Sequence, residues 1–169
     1  MKEITDTATS IADSGVGPTS RIGALSRRLA ALVSDRVLTE LAASGHPDVR
    51  AVHLRVFAAI ADSPLSVTDT ARRLGTTKQT VGPIVRELES MGLVSLTRDP
   101  ADARAYLVSF TERGRTAALR AQEIADRLDD RFADVIGADR LADCRAALWE
   151  LIDQTSWEAP PGDLAESSL

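Results

Sequence analysis

Between Ser66 and Arg104 the chain carries side chains suited to holding a nucleic acid. Lys78, Gln79 and Thr80 are consecutive; Gln can form a bidentate pair with adenine, and Lys can reach guanine or a phosphate. Thr76 and Thr77 precede them where a helix is expected to start, and a helix N-terminus presents free N–H groups to a phosphate. Gly82 allows close backbone approach, Arg86 is placed for a phosphate, and Arg72 and Arg98 add further cations. Arg104 suits a minor-groove or phosphate contact. Asp102, two residues earlier, can instead hold Arg104 in a local salt bridge that shapes the loop, and the sequence allows both roles. Each of these residues would be ordinary on a solvated helix, so the elements around them decide how they are read.

Those elements are legible. Ser66 or Thr68 can cap a short helix with Ala71 and Leu74 inside, and Gly75 ends it. Thr76 or Thr77 caps a second helix whose apolar residues Val81, Ile84, Val85 and Leu88 share one face, and Gly92 ends that one. Two helices joined by a short glycine turn form a helix-turn-helix, the unit that sets its second helix in the major groove. Leu93 to Arg98 and Ala105 to Phe110 then alternate as two half-buried strands around a charged turn. The expected fold is mainly α with a small β wing: a winged helix-turn-helix flanked by N- and C-terminal dimerisation helices.

Before this unit, apolar residues from Ile22 to Leu41 recur at helical spacing until Gly45 and Pro47, and a second, largely apolar helix runs to Ala61 and should lie mid-fold. After it, Thr111 caps a long helix broken at Gly137, and a last helix ends near Gln154. The expected division is a flexible tail over 1–18, a helical dimerisation region over 19–46 and 112–156, a winged helix-turn-helix over 47–111, and a flexible tail over 157–169. Leu25, Leu128, Phe132, Leu148 and Leu151 lie on apolar stripes that one winged helix cannot cover, so a homodimer is expected. Trp149 and Trp157 are read as packing or dimer residues.

The chain's 169 residues carry a net charge of −5, which at first opposes DNA binding. The distribution reverses that reading: residues 66–115 carry +2, and the deficit falls in residues 116–169. A DNA reader needs a local positive surface, not a positive total. No apolar run approaches the roughly 20 residues that span a bilayer, and no secretory leader pattern opens the chain, which points to a cytoplasmic protein without a membrane partner. The single cysteine, Cys144, excludes an intramolecular disulfide and stands on an apolar stripe, as a buried structural thiol does. His46 and His53 lack the further ligands a metal would need. No metal, cofactor or enzymatic activity is expected, because no nucleophile–base set, paired carboxylates or phosphate-binding glycine loop is present.

The run LSVTDTARRLGTTKQTVGPIVRELESMGLVSLTRDPADARAYLVSFTERGR, residues 65–115, resembles the MarR (multiple antibiotic resistance regulator) family of transcription factors. Ala71–Gly75 is similar to the family's helix-turn, Leu88–Val94 to the exit of its recognition helix, 99–104 to its wing and 111–114 to the start of its fifth helix. Two positions depart from the pattern: Pro83 inside the recognition helix, and Ala103 in the wing, where many members carry a polar or basic residue. Pro83 should bend the helix near Gln79 without breaking it. The resemblance implies a transcriptional regulator, a repressor by expectation, acting as a homodimer on a pseudo-palindromic duplex and often released by a small ligand. It further implies a cleft between the dimer helices and the DNA-reading unit, with His46, Arg50, His53, Phe57 and residues near Arg113 as candidates to line it for a small aromatic or apolar effector. Arg50 could pair with the effector's carboxylate, or with Asp48 or Glu40 instead. The competing reading is a protein-interaction module with weak or no DNA binding.

Overall fold

The computed structural model of the chain describes residues 17–100 and 105–154. Residues 1–16 of the expected N-terminal tail and the whole expected C-terminal tail, 157–169, with Trp157, lie outside those residues, as do Asp102, Ala103 and Arg104. The elements in order are α1 (Ile22–Ala43), α2 (Ala51–Ile60), β1 (Leu65–Ser66), α3 (Val67–Arg73), α4 (Lys78–Ser90), β2 (Val94–Arg98), β3 (Tyr106–Phe110), α5 (Glu112–Ile136) and α6 (Ala138–Gln154). The result is a mainly helical chain with a small antiparallel sheet, as the periodicity predicts.

Helix ends fall where the sequence chemistry puts them. Ser66 caps α3, its Oγ accepting from the Asp69 N–H at 3.0 Å, and Thr77 caps α4, its Oγ1 accepting from the Thr80 N–H at 3.2 Å. At the exit of α3 the Thr76 N–H reaches Ala71 O and the Gly75 N–H reaches Arg72 O, with Gly75 at φ +62°. That paired pattern satisfies the last carbonyls and needs a left-handed residue, which glycine adopts without a Cβ penalty. Gly92 repeats it at the exit of α4.

The sheet holds three strands, not the two expected. β1 is only two residues long and pairs antiparallel with β3, Leu65 opposite Val108 and Ser66 opposite Leu107. Two residues cannot show an alternation, so this strand exists through its partner and leaves no sequence signal of its own. β2 and β3 form the wing, with Val94 opposite Phe110 and Arg98 opposite Tyr106. Helix α2 lies at the centre as expected, touching α1, α3, α4 and β3 and burying His53, Val56, Phe57, Ala59 and Ile60. Val37 and Leu41 of α1, Val49, Ala71 of α3, and Val81, Val85 and Leu88 of α4, with Leu93, Val94, Val108, Ala117 and Ile124, complete the core.

One compact unit ends at Asp126 and another begins at Arg127, so α5 runs through both. In the second unit Arg145 of α6 donates to Asp129 of α5 at 2.5 Å, while Leu128, Phe132 and Leu148 are half-buried. Helix α6 buries no residue, and Trp149, Leu151 and Ile152 are exposed. Cys144 is exposed too, so the expected buried thiol is corrected. An apolar stripe marks a face that wants cover, and among the described residues that of α6 stays largely exposed.

The first turn of α5 closes on the exit of α4. A Cβ added to Gly114 would stand 1.7 Å from Leu93 O, a backbone atom that cannot rotate away. Gly114→Ala should therefore cost at least the upper part of the roughly 1–3 kcal/mol typical of overpacking. Gly82 provides the contrast, because beyond its two chain neighbours a Cβ added there would meet nothing within 4 Å. Gly82→Ala should cost much less than Gly114→Ala, since the helix-propensity gain of about 0.5–1 kcal/mol is offset by the crowding of a Cβ against the ring of Pro83. Urea unfolding of the two variants checks that order.

Candidate nucleic-acid interface

The buried stripe of α4 faces the core, which turns Thr77, Lys78, Gln79, Thr80, Pro83 and Arg86 to the exposed side. The helix runs unbroken from Lys78 to Ser90 through Pro83. Pro83 removes the N–H that would reach the Gln79 carbonyl, a local loss that the helix absorbs between a capped start and the buried stripe. Lys78, Gln79, Gly82, Pro83 and Arg86 line a concavity of about 470 Å³ with Val67, Val85 and Leu96, set between the start of α3, the helix and the wing. The Thr77 hydroxyl is occupied as the cap, so what the helix start offers a phosphate is the remaining N–H groups of its first turn. Thr76 is half-buried at the turn, its N–H spent on the exit of α3.

The arginines separate by their partners. Arg72 pairs with Asp69, and Arg73 with Asp62 at 2.8 Å. Arg98 lies over the Tyr106 ring at 5.9 Å, across the wing. Lys78 and Arg86 form no ion pair among the described residues, which leaves their charge directed outward.

The candidates for an effector cleft do not converge. His46 lines a small pocket of about 160 Å³ with Asp48, Met91 and Arg113. His53 is fully buried, and Arg50 pairs with Glu87 of α4, neither with Asp48 nor with Glu40, whose own partner is Arg36. Phe57 alone of the four lines a separate apolar cavity, about 420 Å³, formed by Val33, Ser34 and Val37 of α1, Leu54, Phe57, Ala58 and Ala61 around α2, Phe110, and Arg115, Ala118, Leu119, Ala121, Gln122 and Ala125 of α5. Phe57 and Phe110 meet edge-to-face there, centroids 5.3 Å apart. Its cation is Arg115, one of the residues near Arg113 that were expected to line the cleft.

A winged helix with an outward recognition helix is matched by known proteins. The sequence profile of the MarR family matches residues 48–105. The transcriptional regulator HosA of Escherichia coli O127:H6 is 30% identical over 94 residues, which cover 55% of this chain and 70% of HosA. The chain belongs to the MarR family. It is a DNA-binding, winged-helix transcriptional regulator of that family. The transcriptional repressor CouR bound to a 23-mer DNA duplex superposes with a TM-score of 0.61 at 25% identity, covering 79% of this chain and 91% of CouR. CouR from Rhodococcus jostii RHA1 bound to p-coumaroyl-CoA gives a TM-score of 0.63 at 26% identity, covering 79% and 92%. Among the described residues of this MarR-family chain, no group of three or more His, Cys, Asp or Glu side chains could hold a metal, and no helix is long and apolar enough to cross a membrane.

Two carboxylates of the DNA-reading unit are held below the usual carboxylate range. For Asp69 the leading cause is the Ser66 hydroxyl, which donates to it at 2.6 Å, with Arg72 adding to it against partial desolvation. For Glu87 desolvation is the largest influence and pushes upward, but His53 and Arg50 together outweigh it. A depressed pKa contributes stability above the unfolded value, near 4, that is lost as pH falls through the folded one. Glu87→Gln should therefore lower the melting temperature at pH 7, and the gap to the unsubstituted protein should narrow below about pH 4. Thermal melts across pH 3–7, a window of about four units around the carboxylate range, read this directly.

Proposed function

We propose that this chain acts as a homodimeric repressor on a pseudo-palindromic duplex and is released from it by a small amphipathic acid. The observation that carries the DNA reading is the outward start of α4, where Lys78, Gln79 and Thr80 stand exposed beside Arg86, and both cations lack protein partners among the described residues. In this reading Gln79 and Lys78 meet base edges and Arg86, Arg72 and Arg98 take phosphates. The wing tip, with Arg104 shaped by Asp102, reaches the flanking minor groove. The second copy would cover the apolar faces of α1, α5 and α6, where Ile22, Leu119, Val135, Trp149 and Ile152 are each more than half exposed. Leu25, Leu128, Phe132, Leu148 and Leu151 belong to the same faces. Two recognition helices would then meet successive major grooves about 34 Å apart.

The effector site of this proposal is the cavity beneath Phe57, with Arg115 in the role that the sequence had offered to Arg50. An aromatic body fits the apolar walls, and a carboxylate pairs with the guanidinium. CouR, whose structure holds p-coumaroyl-CoA, gives a parallel in kind. The ligand works by binding the DNA-incompetent arrangement more tightly, so DNA must weaken its binding by the same factor.

A random-duplex selection followed by binding measurements tests the DNA reading. For roughly 6–10 phosphate contacts per dimer, affinity should fall by about 10³–10⁵ between 50 and 200 mM salt. Light scattering at micromolar concentration should give twice the chain mass. A monomer, or a flat salt response, favours a protein-interaction module instead.

The effector is tested by titrating salicylate and p-coumarate with and without the selected duplex. Arg115→Ala should weaken acid binding about tenfold, the worth of one charged hydrogen bond. Equal acid affinity with and without duplex would rule out the release mechanism.

A further inference from the structure

The body of α4 is seated mainly by apolar contact, through Val81, Val85 and Leu88. Apolar burial is non-directional, so it fixes the depth of a helix better than its rotation about its own axis. Base reading is sensitive to that rotation. A roll of about 20° moves atoms at a radius of about 5–6 Å by about 2 Å, more than a hydrogen bond tolerates.

One polar link runs from the flank of α4 to the centre of the fold. Glu87 pairs with the Arg50 guanidinium, and its Oε2 stands 3.3 Å from Nε2 of His53, a close polar contact that falls short of an aligned hydrogen bond. His53 is fully buried on α2. Its Nδ1 accepts the backbone N–H of Arg50 at 3.1 Å. With Nδ1 as acceptor, the proton of the neutral ring sits on Nε2, on the side facing Glu87. The same imidazole thus closes the first turn of α2 and faces the recognition helix.

We propose that Glu87 is a positioning residue for DNA readout, which, held by Arg50 and His53, sets the rotation of α4 and so where Lys78, Gln79 and Arg86 meet the duplex. The proposal rests on the DNA-binding reading above. Stability alone is a poor reason for the link, since the Arg50 and Glu87 side chains are 59% and 40% exposed and such pairs contribute little. Charge alone argues against it. A carboxylate on a helix that meets phosphates repels them, so deleting it should strengthen binding to every duplex. A positioning role gives the opposite sign on the selected sequence.

The test measures a duplex selected by the unsubstituted protein against a scrambled duplex of equal length at one salt concentration. Circular dichroism confirms the fold of each variant. Glu87→Ala should cut the preference for the selected duplex at least tenfold, with scrambled binding unchanged or tighter. Glu87→Gln keeps the side-chain length and an acceptor oxygen, and should recover part of that preference. Arg50→Ala combined with Glu87→Ala should lose no more than the worse single variant, as two members of one link do. Equal strengthening on both duplexes would make Glu87 a repelling surface charge and overturn the proposal. Should Glu87→Ala fail to fold, Arg50→Ala decides: a lost preference supports the role and an unchanged one overturns it. An unsubstituted protein that selects no duplex would instead sink the DNA-binding reading itself.

Discussion

The first turn of α5 lies against the exit of α4 with no room for a side chain between them, and the DNA-reading surface depends on that contact. Gly114 stands on the Leu93 carbonyl, Thr111 Oγ1 donates to Gly92 O at 2.7 Å, and Arg113 donates to Met91 O at 3.0 Å. The Thr111 N–H reaches Leu93 O at 3.1 Å, and Thr111 Oγ1 also accepts the Gly114 N–H. Three successive carbonyls leaving the recognition helix are therefore held by one turn of another helix. Where α5 starts fixes where α4 stops, and with it the point from which the wing departs.

That arrangement places the proposed effector cavity and the recognition helix on two ends of a short mechanical path. Arg115 lines the cavity and lies two residues beyond Arg113, whose guanidinium holds the exit of α4. On the other side of the core, α2 contributes Phe57 to the cavity and His53 and Arg50 to Glu87. A shift of α5 or α2 of the kind a ligand could favour would reach α4 through backbone contacts or a buried imidazole. Packed interiors pass such shifts on because they are close-packed and barely compressible.

The charge pattern follows the same economy. The chain is acidic overall, and several arginines near the reading surface are paired with carboxylates at the surface, Arg72 with Asp69, Arg73 with Asp62 and Arg50 with Glu87. The cations left to face outward from the recognition helix, Lys78 and Arg86, stand on its exposed side. A modest local surplus then suffices, because what a duplex meets is the unpaired charge at the surface and not the sum over the chain.

The sequence by itself determined the local architecture. Glycines at Gly75 and Gly92 stop helices because only they take the left-handed turn cheaply, the Thr77 and Ser66 hydroxyls start them, and a period near 3.6 marks the buried stripe of α4. Those are interactions between neighbours in the chain, so the helix-turn-helix, the wing strands and the outward Lys78–Thr80 edge were legible without coordinates. The tertiary structure decided everything that depends on a distant partner. β1 needs β3 to exist as a strand. Arg50 could have paired with any of several carboxylates and takes Glu87, 37 residues away. His46, His53 and Phe57, close in sequence, go to a small pocket, the core and a large cavity, because α2 turns successive residues to different neighbours. Cys144 shows the limit most plainly: its apolar stripe was readable, but whether a stripe is covered depends on what packs against it, and no local period encodes that.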